Sequence, residues 1–160
     1  MSEQRTPDPG IPTVEITRVF DAPLALVWQT WTDPVHVKKW WGPYGYTTPL
    51  YEVDLRTGGT RRYHMRAPDG SVFPSEGRFE QVVEYERIVV IETVEIAGDV
   101  AFMARTEARF SEATGRTIVA IGQTYMNVSP IGQQAIEGAP VGWAQQFDRF
   151  EAYLRSQQGT

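Results

Sequence analysis

The spacing of hydrophobic positions changes twice along the chain and divides it into three parts. At the start, TVEITRVF places Val14, Ile16 and Phe20 on one face at period two, which predicts a strand. Asp21 and Pro23 then supply a capping side chain and a first-turn proline, so a helix should begin there. The apolar face of that helix, at i, i+3, i+4 and i+7, consists of Leu24, Val27, Trp28 and Trp31.

A second short helix is predicted immediately after the first. Asp33 and Pro34 repeat the start signal, and VHVKKW should continue the helix as far as Gly42. Trp40 and Trp41 stand next to each other at its end, and adjacent residues on a helix cannot share one face. One of the two tryptophans is therefore expected to fill the core, while the other points to a cavity mouth or to a partner.

The middle part of the chain, residues 49–125, loses the helical period. Turn sequences such as PDG at 68–70 and TG at 114–115 separate its strand-like stretches. Short connections of this kind favour an antiparallel meander. The six stretches are LYEVDLR, GTRRYHMRAP, VFPSEGRFEQVVEY, RIVVIETVEI, VAFMARTEARFSE and GRTIVAIGQTYM.

The last part carries an apolar stripe with helical spacing, which indicates a long helix with a break near Gly138 and Pro140. A curved antiparallel sheet of about seven strands, with this helix laid across its concave face, buries both apolar surfaces. The predicted fold is α+β, with one domain over residues 13–157 and a disordered, proline-rich tail over residues 1–12. The stripe consists of Trp143, Phe147, Phe150 and Leu154.

Composition narrows the range of partners. The formal net charge of −5 and the pI of about 5.1 argue against nucleic acid or an anionic membrane as the main partner. No apolar run approaches the roughly 18 residues that a membrane-spanning helix needs. Cysteine is absent, which excludes disulfides and thiolate metal sites and fits a reducing compartment. We therefore expect a cytoplasmic protein.

Several segments resemble one known family. RVFDAPLALVWQTWTDPVHVKKWWGPYGYTTP is similar to the opening signature of the family named after the activator of the heat-shock-protein-90 ATPase. DLRTGGTRRYHMRAPDG, Gly77 with Glu80, and GWAQQFDRFEAYL resemble its later signatures, so the resemblance spans residues 14–154. It implies the helix-grip fold that START domains, plant pollen allergens and polyketide cyclases share. It also implies a cavity between the sheet and the C-terminal helix, and a link to stress response. Carriers, cyclases and interaction modules all use this fold, so the function stays open.

The sequence contains no catalytic or metal-binding constellation that we recognise. His36 is expected to face solvent on the second helix, and neither it nor His64 has the spacing of a metal pair. Nucleophile-elbow and phosphate-binding glycine patterns are also absent. We therefore predict no catalytic residue, no metal and no cofactor.

Carboxylates on the strands are the remaining candidates for acid–base chemistry. Asp54 and Glu76 lie at positions from which a side chain can point inward. Glu92, Glu95 and Glu107 alternate with apolar residues and are expected to face water. Arg61, Arg78 and Arg105 are their expected cross-strand partners, in pairs on the outer face.

One strand carries the clearest indication of a cavity. AFMARTEARF has small residues in the middle of one face, at Ala104, Thr106 and Ala108. Small residues opposite a helix either leave room for a ligand or allow close packing. The next strand repeats this smallness at Ala120, Gly122 and Thr124.

Three functions from different classes remain open. The leading hypothesis is non-enzymatic binding of a small apolar or aromatic molecule. The second is a cyclase- or hydratase-like enzyme that acts on a polyketide or aromatic substrate and uses a cavity Asp, Glu, Tyr or Arg. It needs at least one buried carboxylate facing an open cavity, and exposure of all of Asp54, Glu76 and Glu80 would remove most of its support. The third, which the resemblance implies, is a co-chaperone-like protein-interaction module related to activators of the heat-shock-protein-90 ATPase, with homodimerisation as a possible outcome. The residues expected to line the cavity are Trp40, Tyr63, Met65, Phe79, Phe102, Tyr125, Trp143 and Phe147. Those expected to form an exposed interaction patch are Trp41, Pro43, Tyr44 and Tyr46.

Overall fold

The structure, a computed structural model, describes residues 13–158. The disordered tail predicted for residues 1–12 lies outside the described residues. Two short helices follow the first strand and a long helix ends the described range, which confirms the predicted α+β helix-grip architecture. In chain order the elements are β1 (Val14–Phe20), α1 (Leu24–Thr32), α2 (Pro34–Trp40), β2 (Thr47–Val53), β3 (Thr60–Arg66), β4 (Val72–Val83), β5 (Arg87–Ile96), β6 (Asp99–Ala113), β7 (Arg116–Met126), α3 (Pro130–Glu137) and α4 (Ala139–Gln158).

The seven strands form one antiparallel sheet in the order β1-β7-β6-β5-β4-β3-β2. Strands β2 to β7 follow one another as a meander, so each pairs with its neighbour in sequence. Strands β1 and β2 lie at opposite edges, and α1 and α2 must therefore cross the sheet between them. The pairing register shifts at two extra residues, Glu80 in β4 between Phe79 and Gln81, and Ala101 in β6 opposite Val94 and Glu95. Irregularities of this kind bend a strand and help a sheet to curve around a helix.

Two tight hairpin turns show how local sequence sets this pairing. Ala97 and Gly98 connect β5 to β6, and Thr114 and Gly115 connect β6 to β7. All four residues have positive φ, at 54°, 86°, 52° and 78° respectively. Two consecutive residues of this kind give the backbone twist that matches antiparallel strands. The second of these turns is the TG turn predicted from the sequence.

Both short helices begin where the sequence predicted, but the predicted side-chain cap is present only at α2. The side chain of Asp33 accepts a hydrogen bond from the N–H of Val35 at 3.0 Å, as a capping residue should. Asp21 does not cap α1, which begins after Pro23 without a side-chain cap. The N–H of Leu24 instead donates to the carboxylate of Glu112 on β6, at 3.3 Å. A carboxylate from a neighbouring strand thus takes the place of the expected local cap.

An aromatic core holds the three main helices together on the inner face of the sheet. Trp31 of α1 and Trp40 of α2 have ring centroids 4.9 Å apart, and both rings contact Phe150 of α4. The indole N–H of Trp40 donates to the backbone carbonyl of Thr30 at 3.0 Å, so its polar atom is satisfied inside the core. Across residues 13–158 no helix has the length and apolar character needed to span a membrane.

Candidate ligand cavity

A cavity of about 350 Å³ lies between the inner face of the sheet and the α3–α4 segment. Its walls come from the loop after α2, from strands β3 to β7, and from the junction of α3 and α4. Most of the side chains on these walls are aliphatic or aromatic. Representative lining residues are Trp41, Tyr63, Met65, Val90, Val94, Phe102, Ala104, Thr106, Ala108, Tyr125 and Trp143.

The small residues of β6 account for the open space, as their pattern suggested. Ala104, Thr106 and Ala108 all line the cavity. The expectation that Ala120, Gly122 and Thr124 of β7 also face the cavity was wrong, because the alternate residues of that strand face inward. Ala104 pairs with Tyr125, Thr106 with Gln123 and Ala108 with Ile121, and these three residues of β7 face inward. Because side chains alternate along a strand, Ala120, Gly122 and Thr124 face outward.

A buried ion pair, Arg61 of β3 with Glu92 of β5, forms part of the cavity wall. The Nε and Nη2 atoms of Arg61 donate to the two carboxylate oxygens of Glu92 at 3.2 and 2.7 Å. The hydroxyl of Tyr63 donates to the same carboxylate at 3.3 Å. Arg61 is 7% exposed and Glu92 is 4% exposed, so both charged groups are shielded from water. The two-point contact between them compensates for their lost hydration.

A glycine makes this pairing across an intervening strand possible. Arg61, Gly77 and Glu92 occupy one row of the sheet, on β3, β4 and β5 respectively. The two charged residues are two strand spacings apart, roughly 10 Å, which the long arginine side chain can bridge. A Cβ atom on Gly77 would lie 2.6 Å from the Cβ atom of Glu92 and 2.6 Å from the carbonyl oxygen of Ile91. The row therefore has no space for a side chain at position 77.

The ion pair is enclosed by aromatic rings. The guanidinium carbon of Arg61 lies 5.2 Å from the ring centroid of Trp41 and 5.3 Å from that of Tyr63. Burial, the largest single influence, lowers the pKa of Arg61, but the charge and hydrogen bond of Glu92 together with the nearby Tyr51 and Tyr63 outweigh it, and the pKa is raised. Burial raises the pKa of Tyr51 and of Tyr63. Both phenols therefore stay protonated at neutral pH and keep a hydrogen to donate.

A second polar network ties the helical roof of the cavity to the sheet. The indole N–H of Trp143 donates to the side-chain oxygen of Gln123 at 3.0 Å. The hydroxyl of Tyr125 donates to the same oxygen. The amide of Gln123 donates to the hydroxyl of Thr106 at 2.7 Å. These bonds occupy both ends of the Gln123 amide, so the network orients Trp143 over the cavity.

The loop that carries Trp41 is fastened to α4. The Nη1 atom of Arg149 lies within 3.1 Å of the carbonyl oxygens of Trp41, Gly42 and Pro43. The N–H of Gly42 donates to the side-chain oxygen of Gln146 at 2.8 Å. Gly42 has a φ of 98°, a conformation that side chains disfavour, and this residue turns the chain out of α2. These contacts fix the wall that Trp41 contributes.

The structure brings five of the eight predicted lining residues together on the cavity wall and places three elsewhere. Trp40 is fully buried among Trp31 and Phe150, because α2 ends at this residue and its side chain stays on the core face. Phe147 packs against Phe20 and Trp31 in the same core. Phe79 belongs to that core as well. The five residues on the wall are Tyr63, Met65, Phe102, Tyr125 and Trp143.

The predicted interaction patch does not form an exposed apolar surface. Trp41 is only 6% exposed, and its extended backbone (φ −64°, ψ 136°) turns the ring into the cavity. Pro43 and Tyr46 also line the cavity. Tyr44 alone of the four is exposed, and its hydroxyl donates to the carboxylate of Asp148. Trp41 therefore takes the cavity position that was expected for Trp40, whereas Trp40 lies in the core and neither tryptophan is exposed.

The carboxylates and His36 also differ from the prediction in which of them are buried. Asp54, Glu76 and Glu80 are exposed, whereas Glu92, expected to face water, is the carboxylate on the cavity wall. Arg61 was expected in an ion pair on the outer face, but it is buried on the cavity wall, where it pairs with Glu92. It lies on the same face of β3 as Tyr63 and Met65, and that alternation was the available signal for its inward position. His36 is half-buried rather than solvent-facing, and its Nδ1 atom lies 2.7 Å from the hydroxyl of Tyr153. Within the described residues, no cluster of three or more potential metal ligands occurs.

Comparison with known proteins gives a family match and a consistent set of folds. A family model described as "Activator of Hsp90 ATPase homolog 1-like protein" matches residues 21–155. A protein from Chromobacterium violaceum is 25% identical, with a TM-score of 0.77 over 89% of this chain and 96% of that one. A protein from Mycobacterium smegmatis is also 25% identical, with a TM-score of 0.74 over 92% and 93%.

A further similar structure is DynU16, described as a protein in the dynemicin biosynthetic locus. It is 18% identical to this chain, with a TM-score of 0.67, and the match covers 91% of this chain and 48% of DynU16. At this identity the likeness concerns the fold alone. No curated protein matches the chain in sequence.

Proposed function

The chain belongs to the Activator of Hsp90 ATPase homolog 1-like family, and from this premise we propose that it binds a small, largely apolar molecule in the cavity. The observation that carries the proposal is the cavity itself, about 350 Å³ and walled mainly by apolar side chains. Ligand sites of small molecules start at roughly this size, and they combine apolar walls with a few polar groups that orient the ligand. The Arg61–Glu92 pair and the hydroxyl of Tyr63 supply such groups here.

The fixed geometry of the walls gives further support. Trp143 is held by Gln123, and the Trp41 loop is held by Arg149 and Gln146. Rings that are already oriented lose little freedom when a ligand binds, and that saving favours affinity. Trp41 and Trp143 also provide a direct readout, since a ligand beside either indole changes its fluorescence.

Filling the cavity from its wall tests the proposal. We expect Ala104→Leu to reduce the affinity for apolar aromatic probes at least about tenfold, because the added carbons occupy ligand space. The measurement is titration of tryptophan fluorescence with flavonoid-like compounds and with naphthalene derivatives. Ala120→Leu is the matched control, since Ala120 is on the next strand and faces outward. Equal affinity of the two variants, both folded, would count against binding in this cavity.

A cyclase-like enzyme is the second candidate, and Glu92 is the observation that favours it. The enzymatic hypothesis required a buried carboxylate facing the cavity, and Glu92 meets that requirement although Asp54, Glu76 and Glu80 do not. A carboxylate and a phenol beside a bound polyketide are the groups that proton transfer during cyclisation would use. Incubation with a linear polyketide, followed by mass spectrometry and chromatography, separates the candidates, because only an enzyme forms a cyclised product faster than the same reaction without protein.

A co-chaperone-like interaction module has less support from the surface of this chain. That hypothesis depended on an exposed patch of Trp41, Pro43, Tyr44 and Tyr46, of which Tyr44 is the exposed member. A single exposed aromatic side chain is ordinary on a monomer. The cavity is therefore the better basis for a proposed function.

A further inference from the structure

The charges on the cavity wall allow a sharper statement about the ligand. Among the described residues that line the cavity, Arg61 and Glu92 are the charged ones, and they bind each other. Each neutralises the other, so the wall carries polar groups without a net charge. A ligand meets a site that is strongly hydrogen-bonding and electrically balanced.

A cavity wall whose two charges neutralise each other disfavours the binding of charged ligands. A ligand carboxylate beside Arg61 would bring a second negative charge next to Glu92, in a space shielded from water, and like charges placed together there repel strongly. A ligand ammonium beside Glu92 would meet Arg61 in the same way. Arg149 offers no compensation, since it does not line the cavity and its Nη1 atom already bonds three carbonyl oxygens.

An uncharged ligand oxygen can bind Arg61 or Glu92 without this electrostatic repulsion. A hydroxyl can donate to the carboxylate of Glu92, and a hydroxyl or carbonyl oxygen can accept from Arg61. Hydrogen bonds to charged groups are stronger than those between neutral groups. The pair thus provides both a donor and an acceptor for one uncharged polar group.

The neighbouring rings favour a flat apolar body attached to that oxygen. Trp41 and Tyr63 flank Arg61, and Phe102, Tyr125 and Trp143 line other parts of the cavity. Aromatic side chains contact planar rings well through their faces and edges. The volume of about 350 Å³ suits a compound of a few fused rings rather than a long chain.

We infer that the ligand is an uncharged aromatic molecule bearing a hydroxyl or carbonyl oxygen, and that the Arg61–Glu92 pair selects against charged ligands of the same shape. The inference rests on the proposed binding function and adds the chemical class of the ligand. It separates phenols and ketones from fatty acids and aromatic acids, which would enter the same cavity on size alone.

Three probes with one ring system test this selectivity. At pH 7, 2-naphthol is neutral, 2-naphthoate is an anion and 2-naphthylmethylammonium is a cation. Calorimetric titration of the wild-type protein should give an affinity for 2-naphthol at least about tenfold higher than for either ion. Equal or tighter binding of an ion would overturn the inference while leaving cavity binding intact. If none of the three binds, the binding function fails and the inference fails with it.

Glu92→Gln adds a test of the cause. The variant leaves the charge of Arg61 unbalanced, so 2-naphthoate should gain affinity and overtake 2-naphthol, a change of more than about tenfold in their ratio. An unchanged ratio in a folded variant, verified by circular dichroism, would overturn the role of the pair. The wild-type comparison decides the inference by itself if the variant does not fold.

Discussion

Replacing Glu92 with glutamine should lower the free energy of unfolding by about 3–5 kcal/mol, because it leaves the buried guanidinium of Arg61 without a counter-charge. Glutamine has nearly the shape of glutamate, so the loss reflects charge rather than packing. Native domains have about 5–15 kcal/mol of stability in total, and the variant should fold with a much lower urea midpoint. Urea unfolding followed by circular dichroism measures the difference.

Two further variants establish that the pair is responsible. Arg61→Met combined with Glu92→Met should recover most of the lost stability, since a buried ion pair can often be replaced by apolar residues of similar volume. Glu52→Gln is the surface control, because Glu52 is 61% exposed and lies 3.6 Å from Arg62 on the adjacent strand. It should change stability by less than about 1 kcal/mol. A double variant less stable than Glu92→Gln would refute this explanation.

Adding a single methyl group at Gly77 should also destabilise the fold, by about 1–3 kcal/mol or more. The new Cβ atom would lie 2.6 Å from the carbonyl oxygen of Ile91, and a backbone atom cannot move aside cheaply. It would also occupy the row that Arg61 crosses to reach Glu92. Gly77→Ala therefore strains the sheet and weakens the ion pair together, and thermal or urea unfolding measures the sum.

Gly122 on β7 provides the matched comparison. A Cβ atom there would meet no other atom within 4 Å, and Gly122 does not have a positive φ. Alanine loses less backbone freedom than glycine on folding, so Gly122→Ala should raise stability by about 0.5–1 kcal/mol. If both glycines tolerate alanine equally, the tight approach of β4 and β5 at Gly77 has no energetic consequence.

Local rules were sufficient for most of the fold. Period-two and helical spacing identified the strands and helices, and turn residues separated them, because these signals depend on neighbours in sequence. The order of the elements then restricted the topology, since short connections force neighbouring strands to pair. Asp21 failed as a cap for a non-local reason, as Glu112 from β6 contacts the start of α1 instead.

The site required information that local patterns do not contain. In β5, residues on both faces of IVVIE are buried, so alternation could not distinguish the face of Glu92. Its stabilising contact, Arg61, lies two strands away, and no spacing rule connects them. The sequence predicted a helix as far as Gly42, whereas α2 ends at Trp40, and the extended backbone of Trp41 turns the two side chains in different directions.

A crystal structure of the protein with 2-naphthol is the most direct test of neutral aromatic binding in the cavity. We predict that the rings lie inside the cavity, in contact with Trp41 or Trp143, and that the hydroxyl lies within hydrogen-bonding distance of Glu92 or Arg61. Density for 2-naphthol only on the outer surface, or a hydroxyl directed away from the ion pair, would contradict this account.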